Sequence, residues 1–257
     1  MRRLFSMLLA LTMLLTLSLA SADLLEEVKG RGIILGTEGN WAPWTYVDEN
    51  DKLVGFDVEV AEAIAGKMGV PVSFVTTQWE SIFMGIDSKM YDSAANGVEI
   101  TEDRSEKYDF SEPYAYLRTA LIVKSDNEDI KTFEDLKGKK TANSAGSTYA
   151  LTAEGYGAET VVVSTLAQTL DLVLDGRVDA TLNAELSFYD YMNEHPDAAL
   201  KVVALTEEAS EVAMPIRKGD ENASFREAVN EAIRALREDG TLKAISEKYF
   251  GTDITAK

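Results

Sequence analysis

Short apolar runs alternate along this chain with segments whose apolar residues recur every three or four positions. Ile33-Ile34-Leu35 and the stretches 72–75, 121–123, 161–163 and 201–204 have the length and β-branched content of strands. Residues 93–95 predict a further short strand of small residues. Val60, Ala61, Ile64, Ala65 and Met68 form one apolar helix face, which Asp57 is expected to cap and Gly69 to end. The same spacing predicts helices over 81–88, 166–174, 186–193, 225–237 and 242–249, with Gly240 as the break between the last two. Strands in alternation with helices indicate an α/β fold with mostly parallel sheets.

The pattern also repeats. Residues 81–96 resemble 168–183: each is a helix, a basic turn ending in Asp, a strand of small residues and then an Asn, at Asn96 and Asn183. Glu27-Val28-Lys29-Gly30 is echoed by Asp135-Leu136-Lys137-Gly138, each just before a strand. Two α/β halves of one plan explain both echoes, and chance similarity of helix–turn–strand units is the rival. Ligands of open α/β sheets sit beyond the carboxyl ends of the strands. Asn96 and Asn183 fall at such ends, so two facing lobes would line one cleft with them.

The first 22 residues are set apart from the fold. Arg2 and Arg3 precede an apolar run over 4–19, and Ala20-Ser21-Ala22 gives a small-x-small cleavage site, the pattern of a signal peptide. A membrane anchor is the alternative, but a span needs about 20 apolar residues. The formal net charge of −19 argues against nucleic acid and anionic membranes as partners. The 257 residues hold no cysteine, which excludes disulfides, a cysteine-linked lipid, thiol nucleophiles and cysteine metal sites. The single histidine, His195, lies between Glu194 and Pro196 and reads as a solvated residue at a helix end. No metal, cofactor or catalytic centre is expected.

Three constellations carry candidate chemistry. Trp41-Ala42-Pro43-Trp44-Thr45-Tyr46 follows a strand end; Trp44 and Tyr46 read as packing, and Trp41 as either packing or a ligand-facing wall. In Asn96-Gly97-Val98-Glu99-Ile100-Thr101-Glu102-Asp103-Arg104, Thr101 caps the helix that follows. Arg104 is then either one half of a surface salt bridge or a guanidinium fork aimed at a carboxylate in the cleft. Ala145-Gly146-Ser147-Thr148-Tyr149 is a plain N-cap turn or a small anion site at a helix start.

With Gly55-Phe56-Asp57, Tyr108-Asp109-Phe110-Ser111-Glu112-Pro113-Tyr114, Asp135-Leu136-Lys137-Gly138-Lys139 and Asp239-Gly240-Thr241-Leu242 added, the chain resembles the periplasmic polar-amino-acid-binding proteins of ABC transporters, the family 3 extracellular solute-binding proteins. The resemblance covers nearly the whole sequence after residue 22. It implies that Arg104 holds the ligand α-carboxylate, helped by Ser147 and Thr148, with Tyr149 beside them. It also implies that Trp41 stacks on the ligand side chain, that Glu38 and Trp79 line the pocket, and that Gly97 and Glu99 meet the α-ammonium. The family usually places an aspartate for the ammonium where this chain has Ala184. Either Glu185 or Glu99 takes over, or the amino end is bound differently; the cost of an unpaired buried ammonium favours Glu99. Residues 144–154 and 181–191 look most like the cystine- and cysteine-type branch, and an acid at Glu99 suits a ligand with a second amino group, such as cystine or a basic amino acid.

What the resemblance implies is a two-lobed periplasmic-binding-protein fold of type II. Residues 23–117 and 213–257 would form the first lobe, residues 118–212 the second, and crossings near 117–121 and 210–214 the hinge. The expected product is a monomeric, exported, non-lipidated protein that passes an amino acid to an ABC transporter permease. Two rivals remain on the same fold. One is a periplasmic cyclohexadienyl or arogenate-type dehydratase, with Glu99 or Glu185 as general acid; the other is a sensing subunit for a receptor.

Overall fold

The computed structural model describes residues 23–257, and the expected signal peptide over 1–22 lies outside the described residues. The strands Val72–Thr76, Ile33–Thr37 and Ser93–Ala94 form a parallel sheet in that spatial order. Helix Phe56–Met68 lays its buried Val60, Ala61, Ile64 and Ala65 in the same apolar cluster as Ile33 and Leu35. The long helix Asp220–Glu238 adds Phe225, Val229, Ala232, Ile233 and Leu236. Beyond Ser93, whose hydroxyl donates to Pro215 O at 2.7 Å, lies the strand Pro215–Arg217, antiparallel to Tyr108–Phe110. These elements make the first lobe.

The second lobe repeats the plan. Glu159–Val162 runs parallel to Lys140–Asn143, and a single bridge from Thr141 to Ala180 leads on to Thr181–Ala184. That strand pairs antiparallel with Thr119–Lys124, which pairs in turn with Leu200–Leu205. In each lobe the order is therefore second, first and third strand, then a strand delivered by a segment that crosses between lobes, then a last strand. The echoed segments occupy equivalent places: helix Ile82–Asp87 leads to Ser93–Ala94, and helix Leu166–Leu174 leads to Thr181–Ala184. The internal repeat read from the sequence is thus a structural one.

The crossing segments pair antiparallel as Ala115–Leu117 with Ser210–Val212, and Tyr116 N–H donates to Ile254 O at 2.8 Å, so the C-terminal tail lies alongside them. The first crossing precedes the stretch 117–121 expected for it. Most of that stretch belongs to Thr119–Lys124, whose residues through Val123 are buried at the middle of the second sheet. One apolar cluster runs through the crossing from Trp44 and Phe56 to Leu121 and Leu182; another fills the second lobe around Ile122, Leu170, Val173 and Phe188.

Some local readings change. Asp57 is not the cap of its helix: Gly55 holds that position and makes no side-chain cap bond, while Asp57 lies buried in the first turn. Helix Asp220–Glu238 begins five residues before the apolar periodicity starts at Phe225, because its first turn is the polar Asp220-Glu221-Asn222. Acids there suit the helix dipole but leave no apolar signal. His195 is exposed just past helix Glu185–Glu194, against the Tyr191 ring.

Candidate functional site

The carboxyl ends of strands from both sheets open onto one cleft of about 550 Å³, part of it open to solvent. Glu38 follows Ile33–Thr37, and Asn96 follows Ser93–Ala94. They clasp each other: Asn96 Nδ2 donates to Glu38 Oε2 at 2.7 Å, and Glu38 N–H donates to Asn96 Oδ1 at 2.7 Å. Burial pushes the Glu38 carboxyl up to about 7, against the Asn96 bond and with the charge of Glu80 adding to the rise.

Beside them, Gly97 N–H donates at 2.5 Å to the buried Asp57, which also accepts from the Tyr114 hydroxyl at 2.6 Å. Burial raises Asp57 to about 7 despite both bonds. Gly97 has a φ of 55°, and a Cβ there would come within 2.5 Å of the Trp41 ring. Trp41 therefore packs against bare backbone at Gly97, stacked on Trp44 with ring centroids 5.3 Å apart. Trp44 is fully buried packing, and Trp41 is a wall of the cleft.

Helix Glu102–Lys107 carries Arg104, and Thr101 caps it by accepting from Arg104 N–H at 3.2 Å. Arg104 is 9% exposed and packs over the rings of Trp79 and Phe83, 5.1 and 5.3 Å from their centroids. Its Nη1 donates to Glu99 O at 2.9 Å, and Nη2 reaches Gly146 O of the second lobe at 3.5 Å. Among the described residues it forms no salt bridge, and it stands at the edge of the cleft beside Trp79 and Glu99, which line it. Burial lowers its proton affinity, opposed by the charge of Glu99.

From the second lobe, Ser147 caps helix Thr148–Gly155, accepting from Ala150 N–H at 3.1 Å and donating to Ser144 O at 2.8 Å. The Thr148 hydroxyl donates to Glu99 Oε1 across the cleft. Tyr149 is buried, which raises its hydroxyl well above the usual value, with Glu99 adding to the rise. Asn183 Oδ1 accepts from Trp41 Nε1 at 3.1 Å, a third bond between lobes.

Glu185 is a correction. It opens helix Glu185–Glu194 facing away from the cleft, and its carboxylate is forked by Arg118, with Nη2 to Oε2 at 2.8 Å. It lines a separate cavity behind the crossing segments, with Trp44, Tyr116 and Lys257. The other nine predicted residues gather at the cleft: Glu38, Trp41, Trp79, Gly97, Glu99, Ser147, Thr148 and Tyr149 line it, and Arg104 stands at its edge. Sequence reasoning missed Asn143, Thr165, Leu166 and Thr169, which also line it. Asn143 had a readable signal, since it ends its strand as Asn96 and Asn183 end theirs or nearly so. Among the described residues no three His, Cys, Asp or Glu side chains could hold a metal ion. What the cleft offers is carboxylates, amides, hydroxyls, flat aromatic walls and one guanidinium.

Comparison with known proteins follows the same lines. The model of the bacterial extracellular solute-binding proteins, family 3, matches residues 33–252. A probable amino-acid ABC transporter-binding protein of Haemophilus influenzae is 41% identical, over 91% of this chain and 90% of its own length. Among solved structures, an ancestral arginine-binding protein bound to arginine is 35% identical, with a TM-score of 0.79 over 85% of this chain and 98% of that one. The L-cystine solute receptor of Neisseria gonorrhoeae, unliganded and open, is 39% identical, with a TM-score of 0.61 over 92% of this chain and 100% of that one. Higher identity with poorer superposition is what a rigid rotation of one lobe produces. The bonds across the cleft put the present structure on the closed side.

Proposed function

This chain belongs to the bacterial extracellular solute-binding proteins of family 3, and from that premise we propose that it captures a free amino acid, polar or cystine-like, and delivers it to an ABC importer. The observation that carries the proposal is the ring of contacts between lobes around one cavity: Arg104 to Gly146, Glu99 to Thr148, and Trp41 to Asn183. A small zwitterion between such groups stabilises the closed form by the contacts it makes only there.

In this reading the remaining Arg104 donors take the α-carboxylate together with the Thr148 N–H, where a helix start favours an anion. Glu99 takes the ammonium. Trp41 and Trp79 sandwich the side chain, and Glu38, Gly97 and Tyr149 complete the wall. Two carboxylates in one cleft support a ligand with a second amino group, and the kinship to an L-cystine receptor supports cystine. The lobes comprise residues 23–117 with 213–257, and 118–212, hinged where Ala115–Leu117 pairs with Ser210–Val212. The mature protein is exported after cleavage at Ala22, carries no lipid, acts as a monomer outside the cytoplasm and performs no catalysis.

The test is a melting-temperature screen of residues 23–257, unfolded and refolded to remove carried-over ligand, against the standard amino acids and cystine. A ligand at about 100 times its Kd adds roughly 2.7 kcal/mol, worth about 5–10 °C at this size. Arg104→Ala is expected to remove about 2 kcal/mol or more of the binding free energy, by isothermal titration. Stabilisation by no amino acid, or full affinity in Arg104→Ala, would defeat the proposal.

A further inference from the structure

The amino end of a ligand has no obvious acceptor in the second lobe. Ala184, at the end of strand Thr181–Ala184, contributes no polar side chain, and Glu185 beyond it is turned to Arg118. Asn143 sits at the carboxyl end of Lys140–Asn143, lines the cleft and is 1% exposed. Its Nδ2 donates to Leu182 O at 2.7 Å and more weakly to Thr181 Oγ1 at 3.4 Å. Those bonds fix the amide and leave Oδ1 as its free end. Oδ1 is buried and has no hydrogen-bond partner.

Four polar side chains that share the cleft wall with it are already engaged. Ser147 Oγ serves its helix cap, Thr165 Oγ1 accepts from Gln168 N–H, Thr169 Oγ1 donates to Leu166 O, and Asn183 Oδ1 accepts from Trp41 and from Ala184 N–H. A buried acceptor without a donor is destabilising, and a donor arriving from the cleft removes that cost.

We infer that Asn143 Oδ1 is the second lobe's acceptor for an N–H donor of the ligand and selects for ligands that present one there. The inference rests on the reading of the cleft as an amino-acid site. Because the acceptor is neutral, it requires a donor without requiring a charge. Glu99, a first-lobe residue that lines the same cleft, supplies the charge.

The experiment measures the affinity of wild-type protein, Asn143→Leu, Asn143→Asp and Thr181→Val for L-cystine, L-arginine and L-glutamine by isothermal titration. Urea unfolding of each unliganded variant runs alongside. Asn143→Leu, similar in volume but without an acceptor, is expected to bind the preferred probe about ten-fold more weakly. Asn143→Asp sets a carboxylate oxygen against Leu182 O, so it is expected to be less stable than wild type yet to bind the probe at least as tightly. Thr181→Val removes the weaker Nδ2 contact and the Thr181 hydroxyl's bond to Ala142 O; it is expected to lose stability but, with Oδ1 intact, to bind within about two-fold of wild type. A purely structural Asn143 would instead make affinity follow stability. Wild-type affinity in Asn143→Leu, or loss of binding in Asn143→Asp, would overturn the inference while leaving the amino-acid site standing. Failure of the wild-type protein to bind any probe would overturn both.

Discussion

Glu38 and Asp57 are the two carboxyls that burial raises to about 7. In the unfolded chain each releases its proton in the ordinary carboxylate range, near 4.5 for Glu38. Between there and about 7 the folded protein holds more protons than the unfolded one, so stability falls as pH rises. Their contribution is complete below the unfolded value and is lost as pH climbs through the folded one. The unliganded protein should therefore lose stability on this account across that window, and Glu38→Gln should flatten the slope. Melting temperatures of both proteins at pH 5 and pH 8 (about 1 unit outside the window at the upper end) check this; parallel slopes would mean that Glu38 titrates normally. Arg104 was legible as a candidate from the residues around it, and Glu38 only through the family resemblance; Glu38 lines the cleft. The fate of Asp57 was not legible: a capping position and a buried carboxylate under Gly97 share one local sequence, and only the approach of Gly97 and Tyr114 decides between them.

At the scale of elements, one device recurs: a strand runs into the cleft and ends in or near a polar side chain. Asn96, Asn143 and Asn183 all stand at such ends. Helix starts do the same from the other side, and Ser147 joins the two uses, since its hydroxyl caps helix Thr148–Gly155 within the cleft wall. Ser147→Ala should cost about 1 kcal/mol of stability, and Ser147→Gly only a few tenths, as for other N-caps. Urea unfolding of both variants measures it, and equal losses would show that the hydroxyl is held for something other than the cap. Periodicity located these strands and helices because each buries one face. It gave the last long helix too few residues because a polar first turn leaves no apolar trace.

For the whole molecule, closure is the act that matters. The two sheets share one plan, and the paired segments Ala115–Leu117 and Ser210–Val212 let one lobe turn against the other. Scattering in solution should show a smaller radius of gyration when a stabilising amino acid is added, and little change when a non-binder is added. An unchanged radius at saturating ligand would contradict closure by rotation. The bonds that mark the closed form join residues 49 and 142 positions apart, Glu99 to Thr148 and Trp41 to Asn183.

The sequence by itself determined the alternation of strands and helices, the repeated plan, the family and most of the cleft's residues. These follow from periodicity, turn chemistry and motif order, which neighbouring residues carry. Only the tertiary structure decided which way side chains turn once a strand ends: Asn183 into the cleft and Glu185, two residues on, to Arg118 behind it. It alone decided that Arg104 is braced by Trp79, Phe83 and the Glu99 carbonyl, and that Asn143 keeps an oxygen free. The reason is physical: such choices depend on which distant groups pack against a residue, and no local pattern records that.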